Sequence, residues 1–264
     1  MDSTQDYWAT RAMLDWQVEL GADEAICDLA VDRYALPAEA PAVLHTVTQA
    51  AEQMADPVLA TAADPVALAQ AAASGAADLA ALAAVQAAYD HCDLKKGARS
   101  FVFADGQPAA RVMIIGEAPG REEDIAGRPF VGPAGQLLDR MLSAIGLDRA
   151  ATDPAGAVYI ANVLPWRPPS NRTPDADEIA MMLPFVQRHI ALADPAVIVL
   201  MGNTPCQALL GRAGITRIRG TWAEVLGKPA LPMVHPAYLL RSPAAKREAW
   251  ADLLALQARL RALP

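Results

Sequence analysis

Beyond Val102 the chain alternates short apolar runs with longer stretches of helical period. Four runs, Arg111–Ile115, Val158–Val163, Ala196–Met201 and Leu231–Val234, each stop at a cluster of polar, Gly or Pro residues. Between and after them, Ala134–Ile145, Asp175–Ala193, Thr204–Leu210 and Ala244–Arg261 repeat apolar residues at the spacing of a helix face. Strands that alternate with helices pair in parallel, because each crossover carries the chain back through a helix that covers the sheet. The expected fold is α/β: a three-layer α/β/α sandwich with a central, mainly parallel four-stranded sheet, plus an N-terminal helical extension.

The extension has a different texture. Trp8, Ala12, Trp16 and Leu20 recur at helical spacing, and Gly21 is a plausible stop, so Thr4–Leu20 reads as an amphipathic helix. From Pro37 to about Ala88 the chain is Ala-rich and broken by Pro41, Pro57, Pro65 and Gly75. Asp56–Ala73 reads as linker with weak helix, and Val66–Tyr89 as a firmer helix. Residues 1–88 are therefore expected to form an acidic helical extension and linker, and residues 89–264 the α/β domain.

Length and composition support this division. A chain of 264 residues can bury one α/β core and carry an appendage. Apolar residues make up 53% but aromatics only 5%, which favours Ala-faced helices over a core of Val, Ile and Leu. No charge-free run of about 18 apolar residues occurs, and the acidic N-terminus lacks the basic start of a secretory leader, so a cytoplasmic protein is expected. Three widely spaced cysteines, Cys27, Cys92 and Cys206, suit reduced thiols better than a disulfide framework.

The net charge of −8 does not exclude a nucleic-acid partner. Residues 1–90 hold two arginines against fourteen acids, whereas residues 91–264 hold twenty basic residues against sixteen acids. Local field governs a charged ligand more than the total does.

Ligands of open parallel sheets bind beyond the carboxyl ends of the strands, and there the unusual residues lie. The first strand runs into GEAPGREED (Gly116–Asp124), whose Gly and Pro force a tight turn able to bring backbone N–H groups to a ligand. A dinucleotide-binding GxGxxG is absent. GRPFVGPAGQLLD (Gly127–Asp139) places Phe130 in a Gly/Pro-rich loop, as a core plug or a stacking platform for a base. The second strand ends at Asn162, inside NVLPWRPPSNRTP; its amide could cap a turn or read a pyrimidine edge. The fourth ends in HPAYLLRSP, where His235 could be structural or functional.

In order and spacing these segments resemble the fourth, iron–sulfur-type family of uracil-DNA glycosylases, over roughly Ala88–Arg261. The resemblance implies a monomeric DNA-repair enzyme that flips uracil out of DNA and hydrolyses its glycosidic bond, leaving an abasic site. It implies that Asn162 reads the uracil edge, that Phe130 stacks on its face and that backbone groups at Ala118 help hold the ring. Glu117 and Asn171 would position the attacking water, and His235 would sit near uracil O2. Leu239, Leu240 and Arg241 resemble the loop that enters the duplex. Better-known members of the superfamily carry an Asp at Ala118 and an aromatic at Gly120, so the thymine methyl must be excluded otherwise, with Glu123 a candidate. The acidic run Glu122–Asp124 could instead simply complement a helix dipole.

The family holds a [4Fe–4S] cluster on four cysteines, and such clusters require thiolates. Here Cys92 falls at the first ligand position, but Lys95, Trp166 and Met182 fall at the other three. No iron–sulfur cluster and no other metal is expected. Loss of the ligands also motivates a non-catalytic DNA-binding module, against which the retention of Glu117, Asn162, Asn171 and His235 argues. A covalently cross-linking relative uses a His in an inserted basic loop, and Asn162–Pro174 contains neither.

Overall fold

The computed structural model describes residues 64–263. The Thr4–Leu20 helix, and Cys27, lie outside the described residues. The elements are, in chain order, α1 (Pro65–Gly75), α2 (Leu79–Ala88), β1 (Ala104–Gly106), β2 (Val112–Gly116), α3 (Arg121–Ala126) and α4 (Pro133–Ser143). They continue with β3 (Val158–Asn162), α5 (Ala176–Ala193), β4 (Val197–Met201), α6 (Asn203–Leu210), β5 (Ala223–Val225), β6 (Lys228–Met233), α7 (Pro236–Arg241) and α8 (Lys246–Ala262). Single α-helical turns at Leu94–Gly97 and Ile215–Ile218 and 3-10 turns at Pro169–Asn171 and Pro243–Ala245 complete the helices among the described residues.

The four expected strands pair in parallel in the order β3-β2-β4-β6. The sheet nevertheless has six strands rather than four, because β1 and β5 add antiparallel edges against β3 and β6. Each edge strand has three residues, too short to display a period of two. β2, β3 and β4 are buried along their whole length, as strands covered on both faces must be. Alternate residues divide between the layers. Met113, Ile115, Tyr159, Ile198 and Leu200 face α1, α2 and α5, while Val112, Ile114, Ile160, Val197 and Val199 face α4 and α8. From β2 the chain crosses to β3 on one side, then returns past β2 to β4 on the other. The carboxyl ends of β2 and β4 therefore open a crevice at a topological switch point.

The segment expected as one helix from Val66 to Tyr89 is two, interrupted at residues 76–78. Asp64 and Asp78 cap their starts, accepting from Val66 N–H at 3.0 Å and Ala81 N–H at 2.8 Å. Pro65, read from sequence as a breaker, sits in the first turn, where its missing N–H costs nothing. The linker reading of Asp56–Ala73 thus fails from Pro65 onward. Ala69, Ala73 and Leu82 are fully buried in the core that contains Met182 and Phe185, so residues 65–88 are built into the α/β core. Arg188 of α5 donates to the Ala76 carbonyl at 2.6 and 3.0 Å, satisfying an acceptor at the end of α1. No helix among the described residues is long and apolar enough to cross a membrane.

His189 is buried in α5, with Nε2 2.9 Å from the Tyr159 hydroxyl and its ring stacked on Phe103 at 4.4 Å. Burial pushes its pKa from 6.5 down to about 4. The unfolded chain binds a proton below pH 6.5 that the folded chain refuses, so this stability is complete above that pH and lost as pH falls toward 4. Urea-unfolding midpoints should therefore drop on acidification through this window, and His189→Gln should remove part of the slope. An unchanged slope in the variant would assign the acid sensitivity to other groups.

Candidate active site

The strand ends enclose a cleft of about 530 Å³ lined by Glu117, Ala118, Glu123, Phe130, Asn162, Asn171 and His235, with Arg241 at its edge. Eight of the ten singled-out residues thus converge on one cavity, and Leu239 and Leu240 do not line it.

The floor is set by the pairing of β2 with β3, which aligns Gly116 with Asn162. A Cβ on Gly116 would lie 2.4 Å from Asn162 Oδ1 and 2.6 Å from Phe130 Cε2, so only glycine lets amide and ring meet there. Asn162 is 9% exposed, and its Oδ1 is buried with no hydrogen-bond partner among the described residues. An unpaired buried acceptor costs about 1–3 kcal/mol. Such a group at the end of a strand that opens on a cleft is complementary to a ligand N–H donor.

Phe130 has a left-handed backbone, φ 52°, and its ring stacks on His235 with centroids 5.3 Å apart. The Phe130 carbonyl presses on the first turn of α4, where a Cβ on Gly135 would lie 1.8 Å from it. Glu123 fixes the same loop. Its carboxylate accepts from Gly120 N–H at 3.1 Å, Val131 N–H at 3.0 Å and Gly132 N–H at 2.9 Å. These bonds staple the turn after β2 to the Phe130 loop, so Glu123 shapes the cleft wall. Asp124 likewise accepts from Arg99 N–H and Ser100 N–H, at 2.9 and 3.0 Å. The acidic run is a set of backbone clamps in addition to a helix start.

Glu117 receives a 2.5 Å hydrogen bond from the hydroxyl of Thr204, a buried residue in the first turn of α6. The sequence signal for Thr204 is the polar cluster Gly202-Asn203-Thr204 after β4, a strand end like those that carry the other cleft residues. Asn171 also has a left-handed backbone, φ 55°, and its Oδ1 accepts from Arg167 Nε at 2.7 Å. Its amide group is thereby left as the donor it can offer.

His235 caps α7, its Nδ1 accepting from Ala237 N–H at 3.2 Å. That bond leaves the ring proton on Nε2. Burial pushes the pKa of His235 from 6.5 down to about 4, opposed by the Glu123 carboxylate and reinforced by the Arg241 guanidinium. The ring is therefore a neutral N–H donor at physiological pH. Beyond it, Leu239 is 1% exposed and packs on Leu137, Val234 and Ala249, so its side chain faces the core. Leu240 stands out at 44% exposure beside the exposed Arg241.

The residues that the resemblance sets at the four cluster positions offer one thiol among them. Cys92, Trp166 and Met182 are buried together in the apolar core, where Gln86 Nε2 lies 3.9 Å from the Met182 sulfur. Burial pushes the Cys92 thiol pKa up. Lys95 pairs with Asp90. One protonated thiol with an indole, a thioether and an ammonium is not an iron–sulfur donor set.

The family model of the uracil DNA glycosylase superfamily matches residues 103–254. The type-4 uracil-DNA glycosylase of Pyrobaculum aerophilum is 38% identical over 178 residues, covering 62% of this chain and 85% of that protein. Those of Thermotoga maritima and Archaeoglobus fulgidus are 40% and 38% identical, covering 57% and 61% of this chain and 77% and 82% of theirs.

The neutral state of His235 is open to direct measurement. Nitrogen NMR of the imidazole should report one tautomer, protonated at Nε2, from pH 8 to about pH 5. A ring that titrates near 6.5 would contradict the burial argument.

Proposed function

The chain belongs to the uracil DNA glycosylase superfamily, and we propose that it hydrolyses the N-glycosidic bond of uracil in DNA through the cleft at the switch point. The observation that carries this reading is the buried, unpartnered Oδ1 of Asn162. Uracil presents an N3–H donor beside the O4 acceptor, which complements the two ends of a carboxamide. Cytosine presents an acceptor and an amine in those places and leaves both ends of the amide mispaired. Extrahelical capture is required because the glycosidic carbon is poorly accessible in a stacked duplex.

With the ring between Asn162 and Phe130, the roles of the remaining groups follow from charge. The C1′–N1 bond breaks with its electron pair passing to the base, and negative charge grows on uracil O2. The Nε2–H of the neutral His235 ring donates a hydrogen bond to that oxygen. Water adds its oxygen to C1′. Glu117, oriented by Thr204, accepts the hydrogen bond and then the proton of that water, while the Asn171 amide holds it in line. Electrostatic stabilisation of the departing anion is the dominant contribution expected for such a step. Leu240 fills the space the base vacates and Arg241 meets a phosphate, consistent with their exposure.

We propose that the protein acts as a monomer. Cys92 and Cys206 are buried and unpaired, which fits a reducing compartment and supports a cytoplasmic location. The reaction as written uses no metal. We propose that the core of Trp166, Met182 and Cys92 replaces the cluster by packing.

Two measurements test this reading. Asn162→Ala should slow single-turnover release of uracil from a single-uracil oligonucleotide by about 10²–10³-fold, with affinity for uracil-free DNA unchanged. Excision at the wild-type rate would remove Asn162 from the pocket. Separately, the purified protein should be colourless and remain active after chelator treatment in air. Broad visible absorbance with iron near four per chain would instead establish a bound cluster.

A further inference from the structure

Phe130 is the residue whose geometry is hardest to account for locally. An aromatic residue at φ 52° occupies a backbone region that bulky L-residues rarely adopt, and something outside the loop must hold it there. Arg149, in the connection between α4 and β3, makes the required contacts. Its Nη1 donates to the Pro129 carbonyl at 3.0 Å and its Nη2 to the Phe130 carbonyl at 2.8 Å. These carbonyls belong to the two peptide planes that flank the Phe130 Cα. Fixing both planes fixes the φ and ψ between them.

The guanidinium is itself held. Asp139 of α4 accepts from Nε at 2.8 Å, and Asp105 of β1 accepts from Nη1 at 3.2 Å. The Arg149 side chain is 13% exposed. On the far side of the same peptide, Val131 N–H donates to Glu123. The peptide after Phe130 is thus gripped at its carbonyl by Arg149 and at its N–H by Glu123. Neither Arg149 nor Asp105 lines the cleft.

We infer that Arg149 is a positioning residue for uracil excision, acting through Phe130 by locking the backbone on which the stacking ring is mounted. The inference rests on the proposed glycosylase activity and adds a residue outside the cleft to it. A lysine cannot replace this arginine, because a single ammonium does not span two carbonyls while facing two carboxylates.

A mutant cycle with Phe130→Leu tests the inference by single-turnover uracil excision. In the wild-type background Arg149→Gln should slow excision by about 10- to 100-fold, the range set by loss of one base–aromatic stack, and Arg149→Lys should not restore it. Affinity for uracil-free DNA should stay unchanged, a split that general loosening of the fold would not give. In the Phe130→Leu background the same Arg149→Gln change should cost less than about threefold, because the ring it serves is gone. Equal costs in both backgrounds would overturn the inference, as would a wild-type rate for Arg149→Gln. If Arg149→Gln does not fold, Asp139→Asn, which loosens the guanidinium from a more exposed position, decides by the same cycle. Absence of uracil release by the wild-type protein would instead reject the glycosylase reading itself.

Discussion

The close approach of the Phe130 ring and the Asn162 amide over Gly116 governs the site. The β2–β3 register makes Gly116 and Asn162 neighbours, and a side chain at Gly116 would collide with both partners. With that space open, the ring lies back across the strand ends and meets His235. The left-handed backbone of Phe130 is the local cost of this placement, and Glu123 and Arg149 bear it from opposite sides of one peptide. Parallel pairing in the centre of the sheet and polar clamping in its loops are therefore parts of one construction.

The buried polar groups around the cleft show what is reserved for a ligand. Glu123 and Asp124 spend their carboxylate oxygens on backbone N–H groups. Glu178 accepts from Arg172 and from Asp175 N–H at the start of α5. Thr204 is committed to Glu117. Asn162 Oδ1 alone among the described buried side-chain atoms lacks a partner. In a site where its neighbours are satisfied, that exception is the observation on which the proposed substrate contact rests.

Much of this was legible from residue order. Four apolar runs ended at polar clusters, and those ends are where the cleft lies, because parallel strands bring all their carboxyl ends to one edge. The edge strands were not legible, since three residues carry no period. Pro65 misled, because proline marks a helix start as readily as a break and the capping Asp64 beside it decides which. Leu239 was expected at the DNA surface, but α7 turns it inward onto Leu137 and presents Leu240 instead. Arg149 was beyond reach: its partners, Asp105 and the Phe130 carbonyl, are 44 and 19 residues away in sequence, and only folding brings them together.

Helix α7 has a mechanical consequence. His235 caps its first turn and Leu240 projects near its last, so the group proposed to meet the base and the side chain proposed to enter the duplex share one short rigid rod. At 1.5 Å per residue the two are separated by roughly 8 Å along the axis. A rod of fixed length acts as a gauge. On the proposed reading, a nucleotide that has swung only part of the way out would leave one end of it unseated, and commitment to bond cleavage would then track the completeness of the excursion as well as the identity of the base.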